Sequence, residues 1–564
     1  MKMKEKLADP VEQPRAAVPV GFAREWLWMA LLALAAAAPY LPTLCYGFVY
    51  DDRPQIVDNG ELRSLANIPH FFSESITKAV GFHNERQPVF YRPLFFSQLC
   101  ITRIVFGSGP FGFHLVSLLF QVGNTLLLYF TARRLRVRKD AAYLAGMLFA
   151  VHPVHVESVV WPSASPELMV LGGILFSVLA FLIGQECSSS AGRMGWYMAS
   201  AAAFLLALFV KETALITLPL VAAISLGRSS NGISTIPRLT IRRLLIDLGP
   251  MVGIAIFYLA VRTRVLHGMV ATVTPASWLN MARTWPSVLW FYERHLVLPA
   301  HSSVLYDYDL IEHATLATFW VPLLAVLATL LVLAFALWRA RSLAVTVASL
   351  LIVLPILLVL NFRVFYWGDL VHDRYLYTPS AGFCILAAMA LCALGRRFTK
   401  AISPLTQRLL AGALVCGLGL ITIAQAQPWK NNLLLLANAA KIAPKNIAAQ
   451  ILLGDELEGR GDFAEARICY ERALTLTPAW GPAWFAYGRT LVLTHDAKDA
   501  IQSLEQAIRL DDSPIARVWL AVALNEAGRH DEARTALAAA VARDPSMRQA
   551  YEEVETRVRS TVRN

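Results

Sequence analysis

The chain has 564 residues, of which 56% are hydrophobic and only 16% charged, and its mean hydropathy is +0.49. That balance excludes a soluble globular protein of this size. A formal net charge of +11 in so apolar a chain points to cytoplasmic loops and anionic lipid, and away from nucleic acid.

Apolar runs of span length recur along the chain, and about eleven are read as membrane helices. They lie near residues 26–44, 112–132, 141–157, 166–184, 196–210, 213–227, 244–264, 316–338, 344–362, 376–394 and 408–426. The first runs past signal-peptide length and lacks a clear small-residue cleavage site, so it reads as a span. Residues 1–25 form a short tail that opens MKMKEK. RRLRVRK (133–139), RLTIRR (238–243), RAR (339–341) and GRRFTK (395–400) are basic as well. The positive-inside rule puts the tail and those loops in the cytoplasm. The alternate loops, rich in acids and aromatics, then lie outside, together with everything after residue 426.

Just after the first span comes FVYDDRPQIVDN (48–59), with Asp51 and Asp52 adjacent. A helix cap or a solvated loop is the plain reading of such a pair. Carboxylates at a membrane surface are costly unless used, and the alternative is a general base that takes a proton from an incoming hydroxyl. Arg53 stands where it could keep one of them ionised. The rest of this loop, to residue 111, holds the amphipathic stretches LANIPHFF and RPLFFSQL, which suit short interfacial helices. Arg92, in FYRPLFF, is suited to clamping a phosphate or pairing with an acid.

HPVHVES sets His152, His155 and Glu157 in a turn between two spans. Two imidazoles and a carboxylate could hold zinc or another divalent cation; the other reading is a hydrogen-bonded turn that orients its neighbours or meets substrate. Glu167 opens the next span on the same side. Lys211 and Glu212, in FVKETAL, sit between two short spans. An unpaired ammonium is expensive there, so either Lys211 pairs with Glu212 or it points at a phosphate. Residues 278–298 carry three tryptophans and a tyrosine, as an interfacial helix or a re-entrant segment does. YDYD (306–309) is given no role. In HDRYLYTPSAG (372–382), Arg374 is the best phosphate clamp, since a guanidinium meets phosphate oxygens two at a time; an ion pair with Asp373 or with the first-loop acids is its alternative. Tyr375 stands beside it.

After residue 426 the pattern becomes that of soluble helices with internal repeats. Alanines recur at 466, 500 and 533, spacings of 34 and 33, and again at 473, 507 and 540. That is the tetratricopeptide signature, with small residues where paired helices cross. About three units are read over 447–547, after a linker at 427–446 and before a capping helix at 548–564. Such stacks present a peptide-binding face or serve as a structural cap. The seven cysteines form no CxxC pair and read as buried small hydrophobes; a Cys45–Cys100 bridge is the outer-side alternative. No GxxxxGK[ST] loop, dinucleotide glycine fingerprint or GxSxG elbow is present, which argues against an ATP-driven pump.

The fold class expected is therefore all-α: a polytopic helix bundle over 26–426, followed by an α-solenoid. Carboxylates at one end of an external cavity and Lys/Arg at the other suit group transfer from a lipid phosphate. The order FVYDDRPQIVDN, FYRPLFF, GFHLVSLLF, HPVHVESVVW, LFVKETAL, HDRYLYTPSAG, then repeats resembles the transmembrane and tetratricopeptide-repeat O-mannosyltransferases and their bacterial relatives, of the GT-C superfamily of multi-span glycosyltransferases. The resemblance covers nearly the whole chain. It implies inverting transfer of a sugar, mannose in the family, from a polyprenyl-phosphate donor to Ser/Thr of exported protein docked by the repeats. It also implies Asp51 or Asp52 as base, Lys211, Arg374 and Arg92 on the donor phosphate, and His152, His155, Glu157, Glu167 and Tyr375 lining the cavity. No cofactor is implied beyond the divalent metal already weighed. The protein is expected in a bacterial inner membrane, with site and repeats on the periplasmic side. The chain departs from the family pattern at PSASPE (162–167), where a basic residue is missing, and in the shortness of its repeat array. A lipid-linked transferase acting on a glycan or lipid acceptor, and a non-enzymatic scaffold or transporter, are the two other classes the sequence admits.

Overall fold

A computed structural model describes residues 22–75, 90–229, 237–267, 276–365, 368–398 and 402–561. The basic tail MKMKEK and the last residues of GRRFTK and of the expected capping helix fall outside them. Among the described residues every regular element is a helix, with no strand. Eight helices are long and apolar enough to cross a membrane: Glu25–Cys45, Pro110–Arg134, Pro162–Glu186, Ser190–Val210, Leu244–Leu266, Leu316–Ala340, Asp373–Arg397 and Pro404–Lys430. The chain is an integral membrane protein. The expected span at 141–157 is a pair, Lys139–Ala150 and Pro153–Val160, bent by 48°. Pro153 lacks the N–H that would continue the first helix, and the His152 ring accepts the freed Val154 N–H at 3.3 Å. The two remaining apolar runs form shorter helices, Glu212–Gly227 and Leu343–Leu358.

Lipid, and not water, faces much of this surface. Leu324, Leu331, Val332, Phe335 and Trp338 point outward along one span, as a bilayer requires. Polar groups at membrane depth are spent on each other instead. Asn124 donates to Leu168 O at 2.8 Å and to the Tyr377 hydroxyl at 3.0 Å, which in turn donates to Gln121 Oε1 at 2.6 Å. This chain of bonds ties Pro110–Arg134 to two other spans. The charged ends gather away from it: Lys139 pairs with Glu25, Arg134 with Glu186, and Arg396 with Asp140 at 3.7 Å. The motifs with candidate site residues, by contrast, are brought together with one another.

The long first loop folds as short helices, including Ile68–Ser73 and Pro93–Phe106, around Phe71, Phe95, Phe96 and Phe113. The tryptophan-rich segment is one amphipathic helix, Trp278–Val297, whose Met281, Val288, Phe291, Tyr292 and Leu296 turn inward. All seven cysteines are free, and Cys45 is exposed while Cys100 is buried.

The residues read as a linker hold a packed helix, Asn432–Ile442. Its Leu435, Leu436 and Ala439 are buried, and Trp429 before it is fully buried against Trp161, ring centroids 6.0 Å apart. An apolar run (LLLLANAA) cannot stay solvated, so it docks. Three helix pairs follow, Ile447–Arg460 with Phe463–Leu476, Gly481–Leu493 with Ala497–Leu510, and Pro514–Glu526 with His530–Arg543, then Met547–Thr561. The periodic alanines are buried at the crossings. Gly454 sits so close to its partner helix that a Cβ there would lie 2.5 Å from the Tyr470 ring. The two outer pairs turn on Gly461 and Gly528, with φ of +89° and +77°, and the middle pair turns on His495 at +60°.

Candidate active site

Asp51 and Asp52 have opposite surroundings. Asp52 is fully buried. Its carboxylate accepts the Ser163 N–H at 3.0 Å, the Ser163 hydroxyl at 2.6 Å and the Val49 N–H at 3.0 Å. Three donors and no acceptor fit an ionised carboxylate that pins the first loop to the PSASPE turn. Burial lifts its pKa to about 7 while those bonds pull it down. Asp51 is half-buried, and among the described residues its side chain hydrogen-bonds only to Gln55 Nε2, at 3.4 Å. Burial lifts it to about 6, with the Arg374 guanidinium opposing and the Asp369 carboxylate adding. Such a carboxylate can accept a proton near neutrality. Arg53 serves neither acid: it turns to solvent and lies 3.4 Å from Asp58.

Arg374 pairs with Glu157 through Nη1 and donates its backbone N–H to the same carboxylate at 2.9 Å. Its guanidinium also lies 5.3 Å from the Trp161 ring and 5.1 Å from that of Tyr375. The alternatives weighed from sequence, Asp373 and the first-loop acids, are not its partners. Asp373 faces the other way and accepts the Tyr306 hydroxyl at 2.8 Å. Tyr306 belongs to the YDYD stretch, so that stretch does have a role, as an anchor of this turn. His372 lies between two carboxylates, 3.1 Å from Asp369 Oδ1 and 3.8 Å from Glu157 Oε1, out of line for a hydrogen bond to either.

Lys211 pairs with Glu167, and not with Glu212. Its ammonium lies 5.0 Å from the centroid of the Tyr375 ring. Lys211 and Arg374 thus flank one aromatic ring, each already holding one carboxylate. Arg92 stacks on Phe90 at 4.5 Å, and its Nε is buried with no hydrogen-bond partner among the described residues. That N–H is a free donor, while the charge of the guanidinium is already felt by the nearby Glu212 carboxylate.

The histidines of HPVHVES do not converge with Glu157. His152 Nε2 lies 3.0 Å from Leu296 O, and His155 Nε2 lies 2.7 Å from Ser380 Oγ, both rings buried. The His152–His155–Glu157 metal set considered above is therefore not assembled. Among the described residues no three His, Cys, Asp or Glu side chains group to hold a metal ion. The two rings act as struts of the bent pair.

Four residues of this region went unread in the sequence: Asp369, His372, Asn432 and Asn446. Asp369 and His372 had a signal, since GDLVHDR places an acid and an imidazole just before Arg374. The asparagines had none.

The sequence matches the family model "Dolichyl-phosphate-mannose-protein mannosyltransferase" over residues 93–241 and the model "Tetratricopeptide repeat" over residues 451–513 and 488–548. It is 25% identical over 459 residues to the protein O-mannosyl-transferase F38B6.6 of Caenorhabditis elegans, covering 80% of this chain and 63% of that one. Against the human protein O-mannosyl-transferase TMTC3 the identity is 24%, over 85% of this chain and 54% of the other. Against human TMTC1 it is 26%, over 83% and 58%. The chain thus spans between about half and two thirds of the length of these relatives. Among solved structures, the Archaeoglobus fulgidus oligosaccharyltransferase AglB, in complex with an inhibitory peptide and a dolichol-phosphate, aligns at TM-score 0.40 and 13% identity, covering 79% of this chain and 60% of that one. ArnT from Cupriavidus metallidurans aligns at 0.37 and 14%, covering 96% and 78%. The chain is similar over most of its length to proteins named protein O-mannosyl-transferases, in line with the resemblance carried by its motif order.

Proposed function

We propose that the protein is an inverting glycosyltransferase that moves a sugar, mannose by analogy with its named relatives, from polyprenyl phosphate to Ser/Thr hydroxyls of exported protein. One observation carries this reading: Asp51, a carboxylate lifted toward neutrality, lies within electrostatic reach of Arg374, which stands across one aromatic ring from Lys211.

The step is a single in-line displacement. The acceptor oxygen attacks C1 of the sugar from one side while the C1–O bond to phosphate breaks on the other, inverting the anomeric centre. The hydroxyl proton passes to Asp51. Lys211, Arg374 and Arg92 take the charge that develops on the departing polyprenyl phosphate. That phosphate leaves as a stabilised anion, so no general acid is needed. Asp52 touches neither reactant; it fixes the loop that carries Asp51. The site and repeats face the periplasm of a bacterial inner membrane, with the amino terminus in the cytoplasm, on the strength of the basic loops, and the repeats dock the acceptor.

The test is transfer of radiolabelled sugar from polyprenyl-phosphate mannose to membrane and periplasmic protein, with wild type and Asp51→Asn compared. Label in protein with wild type alone supports the reading. Label in a lipid or glycan fraction would reassign the acceptor, and no label at any pH would remove mannose as the sugar.

A further inference from the structure

We propose that the first repeat helix, Ile447–Arg460, forms part of the active-site wall, and that Asn432 and Asn446 are the positioning residues through which it holds Asp51 and Asp369 beside Arg374. The proposal rests on the reading of Asp51 as the base, and goes beyond it in assigning the repeat array a role in the site itself.

Asn446 caps this helix, its Oδ1 accepting the Ala449 N–H at 3.1 Å. Both hydrogens of its amide are also spent, one on Tyr306 O at 2.9 Å and one on Gly368 O at 2.6 Å. The side chain is 4% exposed, so one buried amide joins three segments. Gly368 is held in the left-handed region at φ +74°, and a Cβ there would lie 3.2 Å from the Asn446 amide nitrogen. Only glycine meets both conditions. The next residue is Asp369, which raises the pKa of Asp51 and lies beside His372. Tyr306, the other carbonyl, holds Asp373 next to Arg374.

Asn432 does the same at the opposite lip. Its Oδ1 accepts the Tyr50 N–H at 2.9 Å and its amide donates to Glu456 Oε2 at 2.7 Å, on the same repeat helix. Tyr50 has φ +50°, a conformation that a bulky residue adopts only when its surroundings enforce it. Asp51 follows it directly. Each acid therefore sits one residue from backbone that is tied, through a single asparagine, to Ile447–Arg460.

Two substitutions in the full-length, detergent-solubilised protein test this. Asn446→Asp keeps the cap on Ala449 but turns an oxygen toward two carbonyls. Asn432→Asp keeps the bond from Tyr50 but repels Glu456. Gly488→Ala is the control, since its Cβ would lie 2.8 Å from Leu504 and disturbs the second repeat without touching either lip. The first readout is hydrogen–deuterium exchange, which needs no sugar. Asn432→Asp should speed exchange over residues 46–58, and Asn446→Asp over 303–309 and 368–376, each by about tenfold for one lost hydrogen bond. Gly488→Ala should leave all three segments unchanged. The second readout is kinetic: kcat falls by about 10- to 100-fold, as for a displaced catalytic group, with acceptor KM unchanged. Exchange unaltered by the asparagine variants, exchange matched by the control, or a loss confined to KM would each overturn the proposal. If Asn446→Asp does not accumulate, Asn446→Ser, which retains a capping oxygen and loses the amide donors, takes its place. Faster exchange at the lips with Asp51→Asn as active as wild type would leave the positioning role standing and remove the base.

Discussion

Replacing each first-loop aspartate by asparagine separates catalysis from support, because the two side chains differ in everything but type. In Asp51→Asn the amide cannot take a proton. General-base catalysis is worth about 10²- to 10⁴-fold, or ~3–5 kcal/mol of barrier, and this variant should lose it. Its fold should not suffer. Burial holds the Asp51 carboxyl at about 6 against an ordinary value of 3.8, so the folded state prefers the neutral form. Stability is highest below the unfolded pKa and falls as pH rises through about 6; a neutral asparagine escapes that loss. Asp52→Asn behaves in the reverse way. Its remaining oxygen can keep both bonds from Ser163, but the new NH₂ then meets the Val49 N–H, donor against donor. An orphaned buried donor costs about 1–3 kcal/mol, part of it recovered because no charge is buried. The loop loosens and the rate falls by about tenfold, through Asp51 displaced and not through Asp51 lost. The assay is sugar transfer as a function of pH. Wild type and Asp52→Asn should both rise with pH to a midpoint near 6 and then level, since the base must be ionised. Asp51→Asn should be flat and near zero. A pH-dependent, near-wild-type rate in Asp51→Asn, with abolition in Asp52→Asn of unchanged stability, would refute the division of roles.

Glu157→Gln breaks the buried pair with Arg374 and leaves a guanidinium uncompensated, which costs about 3–5 kcal/mol; the apparent thermal midpoint of the solubilised protein should drop well below that of wild type, and an unchanged midpoint would mean that Arg374 finds another anion. Gly454→Ala drives a methyl into the Tyr470 ring and should destabilise the repeat array by about 1–3 kcal/mol, read as a lower unfolding midpoint. His495→Gly relieves a left-handed histidine at φ +60° worth about 1–2 kcal/mol, against the exposed contact to Glu526 that it gives up; its midpoint should rise, and a fall would show that the side chain's contacts matter more than the backbone.

The bundle was legible because a bilayer imposes a length on each apolar run, and the repeats because helix crossings demand alanine or glycine at a fixed period. Even where the runs broke, the cause was in the text, as at Pro153. The site was legible in its parts and not in its pairings. That Asp51 and Asp52 follow the first span at once was readable; that Asp52 was committed to Ser163, 111 residues away, was not. Lys211 had Glu212 beside it and took Glu167, 44 residues off; Arg374 took Glu157 across 217. Local rules weigh the neighbour in sequence, whereas desolvated charges choose the neighbour in space. For the same reason LLLLANAA read as a connector: nothing in it names the surface it covers.

The arrangement of cations bears on which anions the proposed site will take. Lys211 and Arg374 each rest against a resident counter-ion, Glu167 and Glu157. An arriving phosphate does not fill an empty socket; it must compete with, or share the cation with, a carboxylate already in place. The net gain from charge alone is then small, since one counter-ion is exchanged for another. Free inorganic phosphate has nothing further to offer. The polyprenyl phosphate proposed as donor does, because partitioning of its chain into the bilayer, at about 0.8 kcal/mol per buried methylene, concentrates it in the membrane that holds the protein. Pre-neutralised cations thus make the site a poor trap for soluble anions and leave the membrane-anchored ones to outcompete them.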